Sequence, residues 1–266
     1  MLPRVNLIRT DETDYLMFST PDSISYTVYM NGYWAKPLLD IALAFIKGTE
    51  GPFVIDIGAN LGAFSVPIAQ KICPDGGLIF AYEPQRIIYY QLCGNIFLNR
   101  LQRVYAFNTA LGEHPGETEI PDINYDQCGN IGACSLDPAH PSGVDLHAPG
   151  FTMASAAPRV PVQPLDSIDL PKAPALIKLD VEGMELDVLK GAVATLQKHR
   201  FPPIMLESWQ HPEHLPRRAA LEAFLISLGY ELTRIHDEII AQHPSHHVHV
   251  AFSSPPQGGL QWARVR

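Results

Sequence analysis

Apolar residues along this chain switch repeatedly between two rhythms: a short unbroken run, and a recurrence every third or fourth position. The first clear case is Val54–Ser65, VIDIGANLGAFS. Val54, Ile55 and Ile57 surround one acid, Asp56, as in a strand buried on both faces of a parallel sheet. Gly58 and Gly62 mark a turn, after which Phe64, Ile68 and Ile72 recur as on one face of a helix. The alternation continues downstream. GLIFAYEP (Gly77–Pro84) predicts a second strand, and Ile88, Leu92 and Ile96 a helical stripe running through Asn99. VYAFNTALG (Val104–Gly112) predicts a third strand with its exit loop. ALIKLDVEG (Ala175–Gly183) predicts a fourth, followed by the stripe Leu186, Leu189, Val193 and Leu196. PIMLESW (Pro203–Trp209) predicts a fifth, followed by Leu221, Phe224, Leu225 and Leu228. ELTRIH and HHVHVAFS predict a closing strand pair. Strands alternating with helices specify an α/β fold: a doubly wound, mostly parallel seven-stranded sheet with helices on both faces. In such sheets ligands sit beyond the carboxyl ends of the strands.

One stretch breaks the rhythm. Residues 112–174 hold ten of the 24 prolines and little periodicity, which predicts an irregular insertion with two short strands, one of them in RVPVQPL. An insertion this long within a domain is usually functional or mobile. Residues 1–50, with the amphipathic Leu38–Ile46, predict a preceding strand and helix that cap the domain. Residues 51–253 are expected to form the main α/β domain, and 254–266 a C-terminal tail.

Charge and cysteine usage narrow the setting. A formal net charge of −9 argues against sequence-independent nucleic-acid binding, which needs clustered Lys and Arg. No apolar run reaches the roughly 20 residues of a membrane span, and the first residues lack a signal-peptide core. Cys73, Cys93, Cys128 and Cys134 contain no CxxC pair and suit reduced thiols, so a cytoplasmic setting is expected.

The chemistry belongs at the strand tips. The turn after Asp56 is not a dinucleotide fingerprint, because Asn60 stands where that motif needs its second glycine. It is not a phosphate-cradling loop either, because Ala63 and Phe64 follow Gly62 instead of Lys and Ser or Thr. Asp56, buried in its strand, needs hydrogen bonds, and the N–H groups of the glycine turn are its natural partners. Glu83 ends the second strand, where an acid reaches the two hydroxyls of a ribose. Together these describe a nucleoside with no pyrophosphate. S-adenosylmethionine fits: ribose on Glu83, adenine against Asn108–Leu111 with Asn108 and Ala110 as contacts, and the methionine end on the glycine turn.

The set VIDIGANLG, YEP, NTALG, LDSI and KLDVEGMELDVLKGA resembles the FkbM family of S-adenosylmethionine-dependent methyltransferases over about residues 50–210, most specifically in Ile177–Ala192. The resemblance implies the class I methyltransferase (Rossmann-like) fold, and methyl transfer to a hydroxyl of a sugar or natural product. Carried over by position, it implies that Asp56, Gly58, Asn60, Gly62 and Glu83 face the cofactor. The expected partner is thus a small-molecule or glycan acceptor. A non-catalytic nucleoside-binding protein that keeps the fold, and an NAD-linked oxidoreductase, are the alternatives; Asn60 counts against the latter.

An alcohol attacks a methyl carbon only as a base accepts its proton. The candidate bases are Asp180, Glu182 and Glu207, with Asp180 at the fourth tip preferred. Glu182 also suits a helix N-terminus. Lys178, two residues before Asp180, either holds these carboxylates or balances their charge. Asp180 and Glu207 are also candidate ligands for Mg²⁺ or Ca²⁺. That reading is not favoured, because comparable catechol enzymes supply more than two protein ligands. His246, His247 and His249 invite a zinc reading, yet simple alternation on a half-exposed strand accounts for them. Tyr33 and Trp34 are candidates to stack on a ligand or to pack on the core.

Overall fold

A computed structural model of the chain describes residues 5–19, 22–120, 158–208, 215–254 and 259–266. The elements begin with a hairpin, β1 (Val5–Arg9) and β2 (Asp14–Phe18), then α1 (Ser23–Asn31) and α2 (Lys36–Ile46). The alternating part follows: β3 (Phe53–Ile57), α3 (Ser65–Ile72), β4 (Leu78–Tyr82), α4 (Arg86–Leu98) and β5 (Val104–Phe107). Three short strands come next, β6 (Ala110–Leu111), β7 (Gly116–Glu119) and β8 (Arg159–Gln163). The alternation resumes with β9 (Leu176–Leu179), α5 (Glu185–Lys190), α6 (Val193–Lys198), β10 (Ile204–Glu207) and α7 (Leu215–Ser227). Four strands close the chain: β11 (Glu231–Ile235), β12 (Glu238–Gln242), β13 (Val250–Ser253) and β14 (Gln261–Arg264).

The central sheet has seven strands in the order β11-β12-β10-β9-β3-β4-β5. The five from β10 to β5 are parallel, and β12 runs antiparallel between β10 and β11. This is the doubly wound class I methyltransferase arrangement. The winding reverses between β3 and β9, the switch point where such sheets open a crevice.

Each strand feeds two cores. Phe53, Ile55 and Ile57 pack on the face covered by Leu189, Leu196, Leu221 and Leu225. Val54 points the other way, into Phe45, Val66, Ile68 and Leu92. All five residues of β3 are buried, as a parallel strand covered on both faces requires. The stripe at 186–196 is two helices, not one, because the chain bends at Gly191–Ala192. A Cβ on Gly191 would stand 2.1 Å from the carbonyl oxygen of Gly112, so only glycine permits that approach. Asp166 of LDSI accepts from the N–H groups of Ala194 (3.0 Å) and Thr195 (2.6 Å), which holds α6 in place.

The first 50 residues contain two strands and two helices rather than one of each. Amide side chains on α4 join the β1–β2 hairpin to the domain. Asn95 is fully buried; its Oδ1 accepts from Leu16 N–H (2.6 Å) and its Nδ2 donates to Leu61 C=O (2.8 Å). Asn95→Ala removes the partner of the buried Leu61 carbonyl and of the half-buried Leu16 N–H and is expected to cost about 2 kcal/mol of stability. A shift of the urea midpoint at constant slope measures it.

The expected closing pair is corrected. Residues 231–235 pair with 238–242 through a two-residue loop, His236–Asp237, with His236 at φ 54°. Residues 250–253 pair with 261–264, inside the segment expected to be a tail. Local closure wins because the shorter loop loses less entropy. The two strands expected within 112–174 are β7 and β8; residues 121–157, including Cys128 and Cys134, lie outside the described part. Cys73 and Cys93 are free thiols. Among the described residues no helix is long and apolar enough to cross a membrane.

Candidate active site

The turn after β3 is built around Gly58. At φ 80°, its missing side chain leaves room for the carbonyl of Asp180, which a Cβ would meet at 1.7 Å. The β3 and β9 tips therefore touch directly. The N–H groups of Gly58 and Ala59 both donate to Tyr82 C=O at 2.9 Å, so they are not the partners of Asp56. That expectation is corrected. Asp56 Oδ2 accepts from Ser65 Oγ at 2.6 Å, and Oδ1 lies 3.8 Å from Lys178 Nζ. Complete burial raises the Asp56 pKa, against the pull of Lys178 and the Ser65 hydroxyl.

Glu83 follows β4 and is buried. Its Oε2 accepts from Asn60 N–H at 2.9 Å and its Oε1 from Gln85 N–H at 2.8 Å. Asn60 reaches this position with a left-handed backbone, φ 50°. Burial pushes the Glu83 carboxyl up to about 7 despite those two donors. A cavity of about 300 Å³ opens beside it, walled by Tyr82, Pro84, Ala110 and Leu111 and reaching Asp180 and Glu182. A second cavity of about 50 Å³ lies across the turn, between Asn60, Phe64, Lys178, Asp180 and Glu238, under Trp34 and Leu38. Gly58 and Asp180 line both.

Of the expected cofactor contacts, Gly58, Glu83 and Ala110 line the larger cavity, and Gly58 and Asn60 the smaller. Asp56, Gly62 and Asn108 line neither. Asn108 Nδ2 instead donates to the carbonyls of Glu83 and Pro84, each at 2.9 Å, so it shapes the loop that presents Glu83. Thr109 takes its place in the wall. Trp34 lines the smaller cavity, whereas Tyr33 is 43% exposed and lies outside both.

The three candidate bases converge: one carboxylate oxygen from each of Asp180, Glu182 and Glu207 lies within 4.8 Å of the others. Asp180 is paired with Lys178 at 2.8 Å. Burial works against the Lys178 charge, but Asp180 and Asp56 outweigh it and raise its pKa. Glu182 sits before α5, not in it, with a left-handed backbone at φ 52°. Such strain in a non-glycine residue concentrates at functional sites. Burial, then Asp180 and Glu185, raise Glu182 to about 8. Glu185 holds the turn by accepting from Val181 N–H (3.2 Å) and Gly183 N–H (3.1 Å), and burial raises it to about 7.

Sequence reasoning missed Glu238. It begins β12 directly opposite Glu207 and lines the smaller cavity. Burial and Asp180 raise it to about 8. Only the antiparallel register brings it here, and no local pattern announces that register.

Four buried carboxyls with raised values have a consequence for stability. Each binds a proton more tightly folded than unfolded, so its contribution is present at low pH and fades as pH rises through the folded value. For Glu83, Glu182, Glu185 and Glu238 that window runs from the ordinary 4.5 to about 8. His246, lowered to about 4 by burial, acts in the opposite sense below about 6.5. The ligand-free protein is therefore expected to lose stability between about pH 6.5 and about pH 8. Urea midpoints across that interval check it, and a flat or rising curve would contradict it.

The donor set suits S-adenosylmethionine. Glu83 presents acceptors at the wall for vicinal hydroxyls, the apolar wall suits a purine, and the acids beyond complement a sulfonium cation. Comparison with known proteins agrees. The Methyltransferase FkbM domain matches residues 56–232, well over half the chain. Methyltransferase sdnD of Sordaria araneosa is 28% identical over 208 residues, covering 70% of this chain and 76% of that one. Hexuronic acid methyltransferase AglP of Haloferax volcanii is 26% identical over 203 residues, covering 76% and 75%. A crystal structure of Methyltransferase FkbM from Methylobacillus flagellatus is 19% identical over 75% of this chain with a TM-score of 0.48, and this chain spans 47% of it. The chain belongs to the FkbM methyltransferase family and is an S-adenosylmethionine-dependent methyltransferase.

Proposed function

We propose that the chain methylates a hydroxyl of a small molecule or glycan. The observation that carries this reading is the position of Asp180, which lines both cavities and meets Glu182 and Glu207 within 4.8 Å. S-adenosylmethionine, when bound, supplies an electrophilic methyl group on a sulfonium. Glu83 accepts hydrogen bonds from the ribose hydroxyls, and the Gly58 turn sets the depth at which the donor lies. Asp180 accepts the acceptor's hydroxyl proton as the new O–C bond forms and the C–S bond breaks. Lys178, 2.8 Å from Asp180, orients it. AglP is named for hexuronic acid; from that name we carry over a sugar acceptor, not its charge.

A second reading has its own support. The three carboxylates form a hard-oxygen set with more than the two ligands expected, suited to Mg²⁺ or Ca²⁺. A bound ion there would lower the hydroxyl's pKa in place of a base. Loss of activity in EDTA, restored by Mg²⁺, would select it; full activity in EDTA would remove it. The nucleoside assignment is tested by calorimetry: adenosylhomocysteine is expected to bind and NAD is not, and the reverse would overturn it.

A further inference from the structure

We infer that the cleft between the β1–β2 hairpin and α2 is a sugar-binding subsite, and that the acceptor is a glycan or glycoside of at least two rings rather than a free monosaccharide. The inference rests on the hydroxyl-methylation reading above and deepens it.

In that reading Glu83 and the donor take the larger cavity, so the acceptor hydroxyl reaches Asp180 from the smaller one. At about 50 Å³ the smaller cavity has room for a few waters, not for a sugar ring. It admits the edge that carries the reacting hydroxyl, and the rest of the acceptor must find its contacts outside. A cleft of about 390 Å³ lies next to it, bounded by the hairpin turn, the end of α1, α2 and α3. Leu39 lines both spaces. Of two consecutive residues, Tyr33 lines the cleft and Trp34 the smaller cavity. The Tyr33–Ala35 turn and Leu39 thus form a shared wall.

The lining of the cleft suits a ring of hydroxyls. Tyr33, already half-exposed, offers an apolar face with a hydroxyl at its tip. Asp11 and Asp40 accept hydrogen bonds, Lys36 donates them, and Asn31 does both. A sugar ring carries C–H bonds on its faces and hydroxyls around its rim, which complement that set. An anion is matched less well, because both lysines of the cleft already have carboxylate partners. Lys36 pairs with Asp40 at 2.5 Å and Lys71 with Glu12 at 3.0 Å. The platform continues past the cleft. Helix α1 ends there with Asn31 and turns Tyr26 and Tyr29 to solvent, 65% and 72% exposed, while Ser25 and Val28 are buried. A helix that buries its small residues and exposes its aromatic ones presents a contact surface, here for further rings of the same acceptor.

The test uses the full-length protein saturated with adenosylhomocysteine and immobilised neutral glycans of one to four rings, built from glucose, galactose, mannose and N-acetylglucosamine. Retention is titrated for the wild type, Tyr33→Ala and Asp40→Asn, the second variant guarding against a folding defect in the first. At least one oligomer is expected to bind the wild type about 10-fold or more tightly than the single rings that compose it. Each variant is expected to lose most of that margin while keeping its affinity for adenosylhomocysteine. Binding of no glycan, equal affinity for rings and oligomers, or a margin that survives both substitutions would overturn the inference. Methyl transfer to free rings and oligomers at equal rates would overturn the subsite and leave the functional reading standing. Oligomer binding that depends on Tyr33, with no methyl transfer to any hydroxyl, would do the reverse.

Discussion

Asp180→Asn is expected to bind S-adenosylmethionine nearly as well as the wild type while losing about 10²–10⁴-fold in turnover, the range that a positioned general base supplies. The substitution keeps the size of the side chain and an oxygen for Lys178, so the ion-paired corner beside Asp56 stays filled. What it removes is the capacity to take a proton. Cofactor affinity should persist because Glu83 and the Gly58 turn lie on the β3 and β4 side, across the switch point from β9. Single-turnover rates and calorimetry separate the two effects. Unchanged turnover would move the base to Glu182 or Glu207. Of these, Glu182 is raised to about 8 and would give a rate that climbs through that pH. A collapse of cofactor affinity would place Asp180 in the donor pocket instead.

Glu83→Ala is the second large effect. It removes the acceptor for the ribose hydroxyls and leaves the N–H groups of Asn60 and Gln85 without their carboxylate. Affinity for adenosylhomocysteine is expected to fall by about 1–3 kcal/mol, roughly 5–150-fold. A ribose-deoxygenated analogue distinguishes the contact from the loop: it should lose less affinity in the variant than the parent compound does. An equal loss for both would mean that Glu83 only shapes the loop. Unchanged affinity for both would remove it from the site.

Much of this molecule was legible in local pattern. Val54–Ile57 and Gly58–Ile72 state strand, turn and helix because periodicity and glycine placement are properties of a few adjacent residues. From five such units the parallel order and the strand-end location follow by topology. Asp180, Glu182 and Glu207 could be nominated one by one, since each ends a strand or follows one. Their convergence within 4.8 Å could not, because it depends on how β9 and β10 align. Glu238 was invisible for the same reason: its place opposite Glu207 is set by the register of β12. The partners of Asp56 were misread because the nearest N–H groups in sequence were preferred. A hydroxyl nine residues on and a lysine from another strand took that role. Asn108 has a polar side chain at a ligand-facing bend, yet two carbonyls of the neighbouring loop claim its amide.

The central claim is transfer of a methyl group to a hydroxyl with Asp180 taking the proton. Its most direct test incubates the enzyme with methyl-¹³C-labelled S-adenosylmethionine and an extract of the source organism. The carbon shift of the labelled product then identifies the atom that carries the methyl group. We expect an O-methyl product formed by the wild type and almost none formed by Asp180→Asn. A label on nitrogen, sulfur or carbon, or equal O-methyl product from both proteins, would contradict the account.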